Sequence, residues 1–361
     1  MGNSCFWFAP SFSLTNLPQL QSVKLGWEAF RDVHSIVFEN LPKLQSIQLG
    51  EGALCGDDSA DRQTIRRAPY SYKNTLTMRN LPSLTEFKGN RLNFHSIGSV
   101  ILENIPRLSF DGIQFRHCFS FTYSLQSSNA TGLENYINFG KQEPTVSSTV
   151  IRNRTELNSI PLDVEDLWIS RFDTSDVSEF SPSRFQSLKT LVIGNGLFWS
   201  VNRLELNNLT FLQSIEMGGA CFCYAPSFSL TNLPQLQSVK LGNSAFFYVH
   251  SVVFENLPKL QSIQLGEGAL QGDGRDNRKT INTKPFNYNN TLTMRNLPSL
   301  TEFKGDSYNF VCIGSVILEN IPRLSSDGIQ FGHNCFLFTY SLQSSNASAL
   351  ESAIRSKSEY V

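Results

Sequence analysis

Across 361 residues, 30 basic and 31 acidic side chains leave a net charge of −1, which excludes the basic footprint of a nucleic-acid binder. No run of about 18 apolar residues occurs, so no transmembrane helix is expected. Charged residues are 17% and aromatic residues 12%, with 28 Phe, a balance that suits a spine of Phe side chains stacked along a core.

In chain order, the first recognisable unit is built around Asn16, and related units follow at Asn40, Asn80, Asn104, Asn208, Asn232, Asn256, Asn296 and Asn320. The commonest step is 24 residues, and a fixed period of that size marks a solenoid. Within a turn the apolar positions alternate twice, at Ile36 and Phe38 and then, after Leu41-Pro42, at Leu44, Ile47 and Leu49. Period-two alternation predicts two short strands, with Ile47 and Leu49 on one face and Ser46 and Gln48 on the other. Proline between the runs suits a corner.

The second strand ends in a G-x-x-A-F type corner, as in Gly26 to Phe30, Gly50 to Leu54 and Gly242 to Phe246. Gly is expected to supply the sharp or left-handed turn, and Phe or Leu to fill the core. The Asn side chains, one per turn, are expected to bond backbone groups left unpaired at the corners.

Polar insertions at 55–74 and 271–290 interrupt this rhythm, carrying Asp57, Asp58 and Asp61 in the first and Asp273 and Asp276 in the second. Insertions in solenoids map to loops on one face, often a binding face. Residues 9–134 recur as 225–351, at an offset of 216 that becomes 217 after one inserted residue, and 135–187 reads as degenerate turns. The expectation is one continuous array over 1–361, of about fifteen turns. MGNSCFWFAP at Met1 aligns with the internal MGGACFCYAP at Met217, and Asn346 with Leu350 reads as the opening of a further turn, so the sequence is expected to be a piece of a longer array.

These residues resemble the leucine-rich repeat superfamily, with LxxLxL written as Leu20, Val23, Leu25 and as Leu44, Ile47, Leu49. The G-x-x-A-F corner is most similar to the BspA-like class. The slot where common leucine-rich repeats carry Asn holds Glu28, Gly52, Gly196 or Ser244, while Asn lies before Leu-Pro. The resemblance implies a mostly β, leucine-rich-repeat-like solenoid with two short strands per turn.

Motifs for chemistry are weak. Gly50-Glu51-Gly52 starts like a dinucleotide fingerprint, but the third Gly falls one place late and no βαβ context surrounds it. His117 and Cys118 are spaced differently from His333 and Cys335, and no second pair at zinc spacing lies nearby. Asp57, Asp58 and Asp61 lack the loop length and closing Glu of an EF-hand. Seven cysteines, an odd number, make a poor disulfide framework and favour a reducing, cytoplasmic setting, with the cell surface as the alternative. Cys5 and Cys221 occupy the small corner slot and read as buried hydrophobes.

No catalytic, cofactor or metal residues are therefore expected. Stacked turns align outward side chains, so Lys24, Gln48, Lys88, Lys240, Gln264 and Lys304 form one row of candidate contacts, with the insertion aspartates as the other set. The expected role is a non-enzymatic scaffold binding a protein or glycan. The alternatives are a structural or surface-coat repeat protein and, behind it, a β-solenoid carbohydrate-active enzyme.

Overall fold

A computed structural model describes residues 1–57, 72–90, 92–115, 118, 119, 122, 124–139, 148–170, 172–204, 206–275, 288–359 and 361. It is mostly β, 32% strand and 9% helix, and forms a parallel β-solenoid of about 12 turns, fewer than the fifteen expected. The chain divides into two compact units, residues 1–145 with 171–173, and residues 146–170 with 174–361.

In the first unit each of the first four turns contributes its first strand to one ladder and its second to another, and the fifth contributes a first strand alone. The first ladder runs Ser11–Thr15, Ser35–Glu39, Asn74–Arg79, Ile97–Glu103 and Ser124–Ser128, and the second runs Ser22–Leu25, Ser46–Leu49, Glu86–Lys88 and Ile113–Gln114. Neighbours pair in parallel without slippage across most rungs, as in Ile36 against Leu76 and Phe38 against Met78. Register holds because these residues are fully buried, and a slip of one residue would turn every core side chain outward. The second unit repeats the plan, with a five-stranded ladder starting at Ser227–Thr231, an eight-stranded ladder from Thr149–Ile151 to Ile329–Phe331, and a two-stranded pair, Glu179–Phe180 with Arg203–Leu204.

The corner differs from expectation in one respect. Gly26 and Gly50 are absent from the left-handed residues, which are instead Glu28 and Phe30, Gly52 and Leu54, or Ser244 and Phe246. A side chain at Gly50 would meet the Gly26 carbonyl carbon and the Trp27 nitrogen at 2.5 Å. Gly is therefore required because stacked backbones touch there, while Phe30 accepts φ of 55°. That conformation costs about 1–2 kcal/mol, which burial of a Phe ring, worth about 1.5–3 kcal/mol, offsets. The corner segments also bond rung to rung, Phe30 N–H donating to Cys5 and Leu54 N–H to Ala29, both at 3.0 Å. The rings beneath them stack: Phe198, Phe222 and Phe246 lie 5.4 and 5.1 Å apart.

The Asn positions also differ from expectation. Each sits in the left-handed region, φ 51–58°, and is exposed, and apart from Asn208 the side chains bond one another instead of backbone. Nδ2 of Asn40 donates to Oδ1 of Asn16 at 2.9 Å, and Nδ2 of Asn80 to Oδ1 of Asn40 at 2.8 Å. Asn has the smallest penalty for this conformation after Gly, which explains why it recurs.

Residues read as opening further turns are helical. Helix α1 spans Thr131–Phe139, helix α2 Arg154–Asn158 and helix α3 Ser348–Arg355. α1 buries Leu133 and Ile137, and α3 buries Leu350 and Ile354, pairs four residues apart on one helical face. Each follows the last strand of a five-stranded ladder and packs beside it, covering a rung whose core would otherwise be open. None of the seven cysteines, all of them among the described residues, forms a disulfide; Cys221 is buried as expected, whereas Cys5 is half-buried. Burial pushes the Cys223 thiol up, and the adjacent Cys221 pushes it the same way.

Candidate functional site

Three surfaces concentrate side chains with binding chemistry. The first is the Lys and Gln row. Lys24 pairs in register with Gln48, and Gln48 with Lys88; Lys240 pairs with Gln264, and Gln264 with Lys304. Alternation brings these six residues into two lines because their strand neighbours Val23, Ile47, Phe87, Val239, Ile263 and Phe303 point into the core. The charges are partly met within the ladder. Lys88 Nζ lies 3.3 Å from Glu86, Lys240 Nζ 3.0 Å from Glu216, and Lys304 contacts Glu302. The Lys304 ammonium holds the Glu302 carboxyl below its usual value. Exposed pairs of this kind contribute about 0–1 kcal/mol, so a ligand can displace them.

The second surface is the base of each insertion. Asp58, Asp61 and Asp276 lie outside the described residues, as do the basic residues at 62, 66, 67, 278 and 279. Asp57 and Asp273 are described, and both are drawn toward the solenoid. The Asp57 N–H donates to Val33 at 3.1 Å, its carbonyl accepts from Asn74 Nδ2 at 2.7 Å, and its carboxylate lies 3.6 Å from His34. Asp273 repeats this with Val249, with Asn290 at 2.8 Å and with His250 at 3.3 Å.

The second copy adds a cation. Arg275 donates to Asp273 through Nε at 2.9 Å and Nη2 at 2.6 Å, while its guanidinium lies 4.4 Å from the Tyr248 ring. Tyr248 stacks in turn on Tyr224 at 5.1 Å. Burial alone would raise the Asp273 carboxyl, but the hydrogen bonds from Arg275 and the charges of Arg275 and His250 outweigh it and hold the carboxyl below its ordinary value. Burial, with Tyr248 and Cys223 close by, raises the Tyr224 phenol. Sequence reasoning missed this cluster, since Tyr224, Tyr248 with His250, and Arg275 come from three successive stretches about 25 residues apart. It also missed the clamps. Asn74 donates to both Asp57 and Ser96, and Asn290 to both Asp273 and Cys312; their signal is the identical NTLTMR opening of each post-insertion strand.

The third surface is a pair of shallow grooves along the Asn rungs. Asn16, Pro18, Asn40, Pro42, Asn80, Pro82 and Asn104 line one of about 460 Å³. Asn232, Pro234, Asn256, Pro258, Asn296, Pro298 and Asn320 line the other, of about 480 Å³. Every lining residue is uncharged.

Among the described residues, no group of three or more His, Cys, Asp or Glu is arranged to hold a metal ion, and no helix is long and apolar enough to cross a membrane. Comparison with protein-family models, curated proteins and solved structures finds no match to the chain.

Proposed function

We propose that the chain is a non-enzymatic interaction scaffold of the leucine-rich-repeat type, closest to the BspA-like class, that recognises a protein or glycan through its exposed ladders and inserted loops. The observation that carries this reading is the in-register outward row of Lys24, Gln48 and Lys88 and its copy at Lys240, Gln264 and Lys304. Strands fix the spacing of these groups before any partner arrives, and preorganisation lowers the ordering cost of binding. The insertions, clamped at their bases by Asn74 and Asn290, carry side chains of both signs of charge in their sequence.

The test is affinity purification from source cells with mass spectrometry, using the wild-type chain and the variant Lys24→Glu, Lys88→Glu, Lys240→Glu, Lys304→Glu. Recovery of the same few proteins or glycans with wild type, and their loss with the variant, is the expected result. One observation favours the rival coat role: Lys88, Lys240 and Lys304 already face acidic neighbours in the ladder. Unchanged assembly and localisation of the charge-reversed chain, with no partner recovered, would establish that role instead.

A further inference from the structure

The Asn and Pro grooves point to a ligand class that the Lys row does not. We infer that each groove binds an extended, uncharged polysaccharide lying across successive rungs. This rests on the scaffold reading above and sharpens it, moving recognition from the charged row to the rung corners.

Three features carry the inference. First, the amides are fixed and only half used. Asn40 donates one N–H to Asn16 and accepts one from Asn80, and Asn256 likewise donates to Asn232 at 3.0 Å and accepts from Asn296 at 2.8 Å. A primary amide offers two N–H donors and two lone pairs. One donor and one acceptor therefore remain per inner rung, held in place by the ladder and by backbone bonds such as Leu41 N–H to the Asn80 carbonyl.

Second, the groove alternates these amides with the apolar faces of Pro rings. A pyranose unit is matched to that pattern, with C–H faces to lie on Pro and hydroxyls that both donate and accept at its rim. No lining residue carries charge, so the groove gives a charged polymer no partner for its charge. Four of the cations flanking the rungs are engaged: Arg79 and Arg295 lie 3.0 Å from Glu103 and Glu319, and Lys43 and Lys259 donate to Gln19 and Gln235 at 2.7 and 2.6 Å; Arg107 and Arg323 flank only the last rung of each groove.

Third, the spacing selects against a peptide strand. Rungs of a sheet are about 4.7–4.9 Å apart, whereas an extended peptide presents the same face every two residues, about 6.6 Å. A strand laid along the groove loses register after two rungs. Its side-chain pockets would also have to be deeper than this shallow surface provides.

The decisive experiment uses the full chain and co-sedimentation on insoluble cellulose, chitin, β-1,3-glucan and starch, with pectate and heparin resins as charged controls. The groove variant is Asn40→Gly, Asn80→Gly, Asn256→Gly, Asn296→Gly, because Gly keeps the left-handed backbone while removing the amide; unchanged circular dichroism and thermal midpoint within a few degrees certify its fold. Retention on at least one neutral polysaccharide, insensitive to about 0.5 M salt and reduced about tenfold or more in the groove variant, is expected. Absence of retention on all four neutral materials, retention on charged resins alone, or retention lost with the Lys-row variant but kept by the groove variant would each overturn the inference. The last outcome leaves the scaffold reading standing, and a protein partner recovered through the Lys row does the same. Loss of both kinds of binding partner defeats both.

Discussion

Phe6 and Phe222 occupy equivalent places in two aligned stretches that share six of ten residues, yet Phe6 is 63% exposed and Phe222 fully buried. Leu17 and Leu233 differ in the same way. Phe222 lies between the rings of Phe198 and Phe246, and Phe6 stacks on Phe30 at 5.1 Å. The sequence around Leu17 and Leu233 is identical and around Phe6 and Phe222 related, so the contrast reports chiefly what the adjacent rung contributes. In a solenoid, stability is a sum of intrinsic and nearest-neighbour parts, and this pair of residues separates them.

Truncating these rings should give the largest divergence between the copies. Phe222→Ala removes a buried ring and is expected to cost about 3–5 kcal/mol, while Phe6→Ala should cost under about 1 kcal/mol; chemical denaturation of each variant measures both. Equal costs would break the comparison. The insertion clamps should instead behave alike, because Asn74 and Asn290 each serve two carbonyls. Asn290→Ala strands two buried acceptors and should cost about 2–3 kcal/mol, with Asn74→Ala close to it.

A smaller effect isolates backbone from side chain at the rungs. Asn256→Ala should destabilise by about 1 kcal/mol more than Asn256→Gly, since only Ala pays for φ of 55°, and thermal midpoints of the two variants test the ordering. Smaller again is the acid response of the second insertion base. Because the Asp273 carboxyl is held below its ordinary value, its contribution is complete above the usual carboxylate range and is lost as pH falls through the lowered folded-state value. Arg275→Ser, which places in the second copy the residue found at 59, should therefore raise the pH of acid unfolding monitored by circular dichroism. Least of all, Lys240→Ala should alter stability by no more than about 0.5 kcal/mol, as its pairing with Glu216 is exposed.

The period, the two strands per turn and the alignment of Lys24 with Gln48 and Lys88 were legible because alternation and burial are both written in residue type. The left-handed Phe30 and Leu54 were not, since a bulky residue there contradicts its own backbone preference and is tolerated only once the ring is buried. Helices α1 and α3 were masked by their rung-like Asn. Leu133 with Ile137 and Leu350 with Ile354 did carry a helical spacing, but each pair is too short to stand against the long run of 24-residue steps. The clustering of Asp273, Arg275, Tyr248 and His250 is a product of rung stacking, which sequence distance conceals. The Asn and Pro grooves lay in plain view as Asn-Leu-Pro, but nothing in that tripeptide tells which side of the corner faces out.

The rung asparagines also bear on how this protein ages. Deamidation begins when the main-chain nitrogen after an Asn attacks its side-chain carbonyl, a step that needs that nitrogen free and the backbone able to fold back. Here the following residue is Leu or Ile at the inner rungs, and its N–H is already donated to the next rung, as from Leu81 to Asn104 at 3.1 Å and from Leu297 to Asn320 at 3.1 Å. A row of amides on the outside of the molecule is thereby protected from the hydrolysis that exposed Asn usually suffers. Were one rung to convert, a carboxylate would face its neighbour's amide oxygen, and the repulsion would weaken the ladder at that rung.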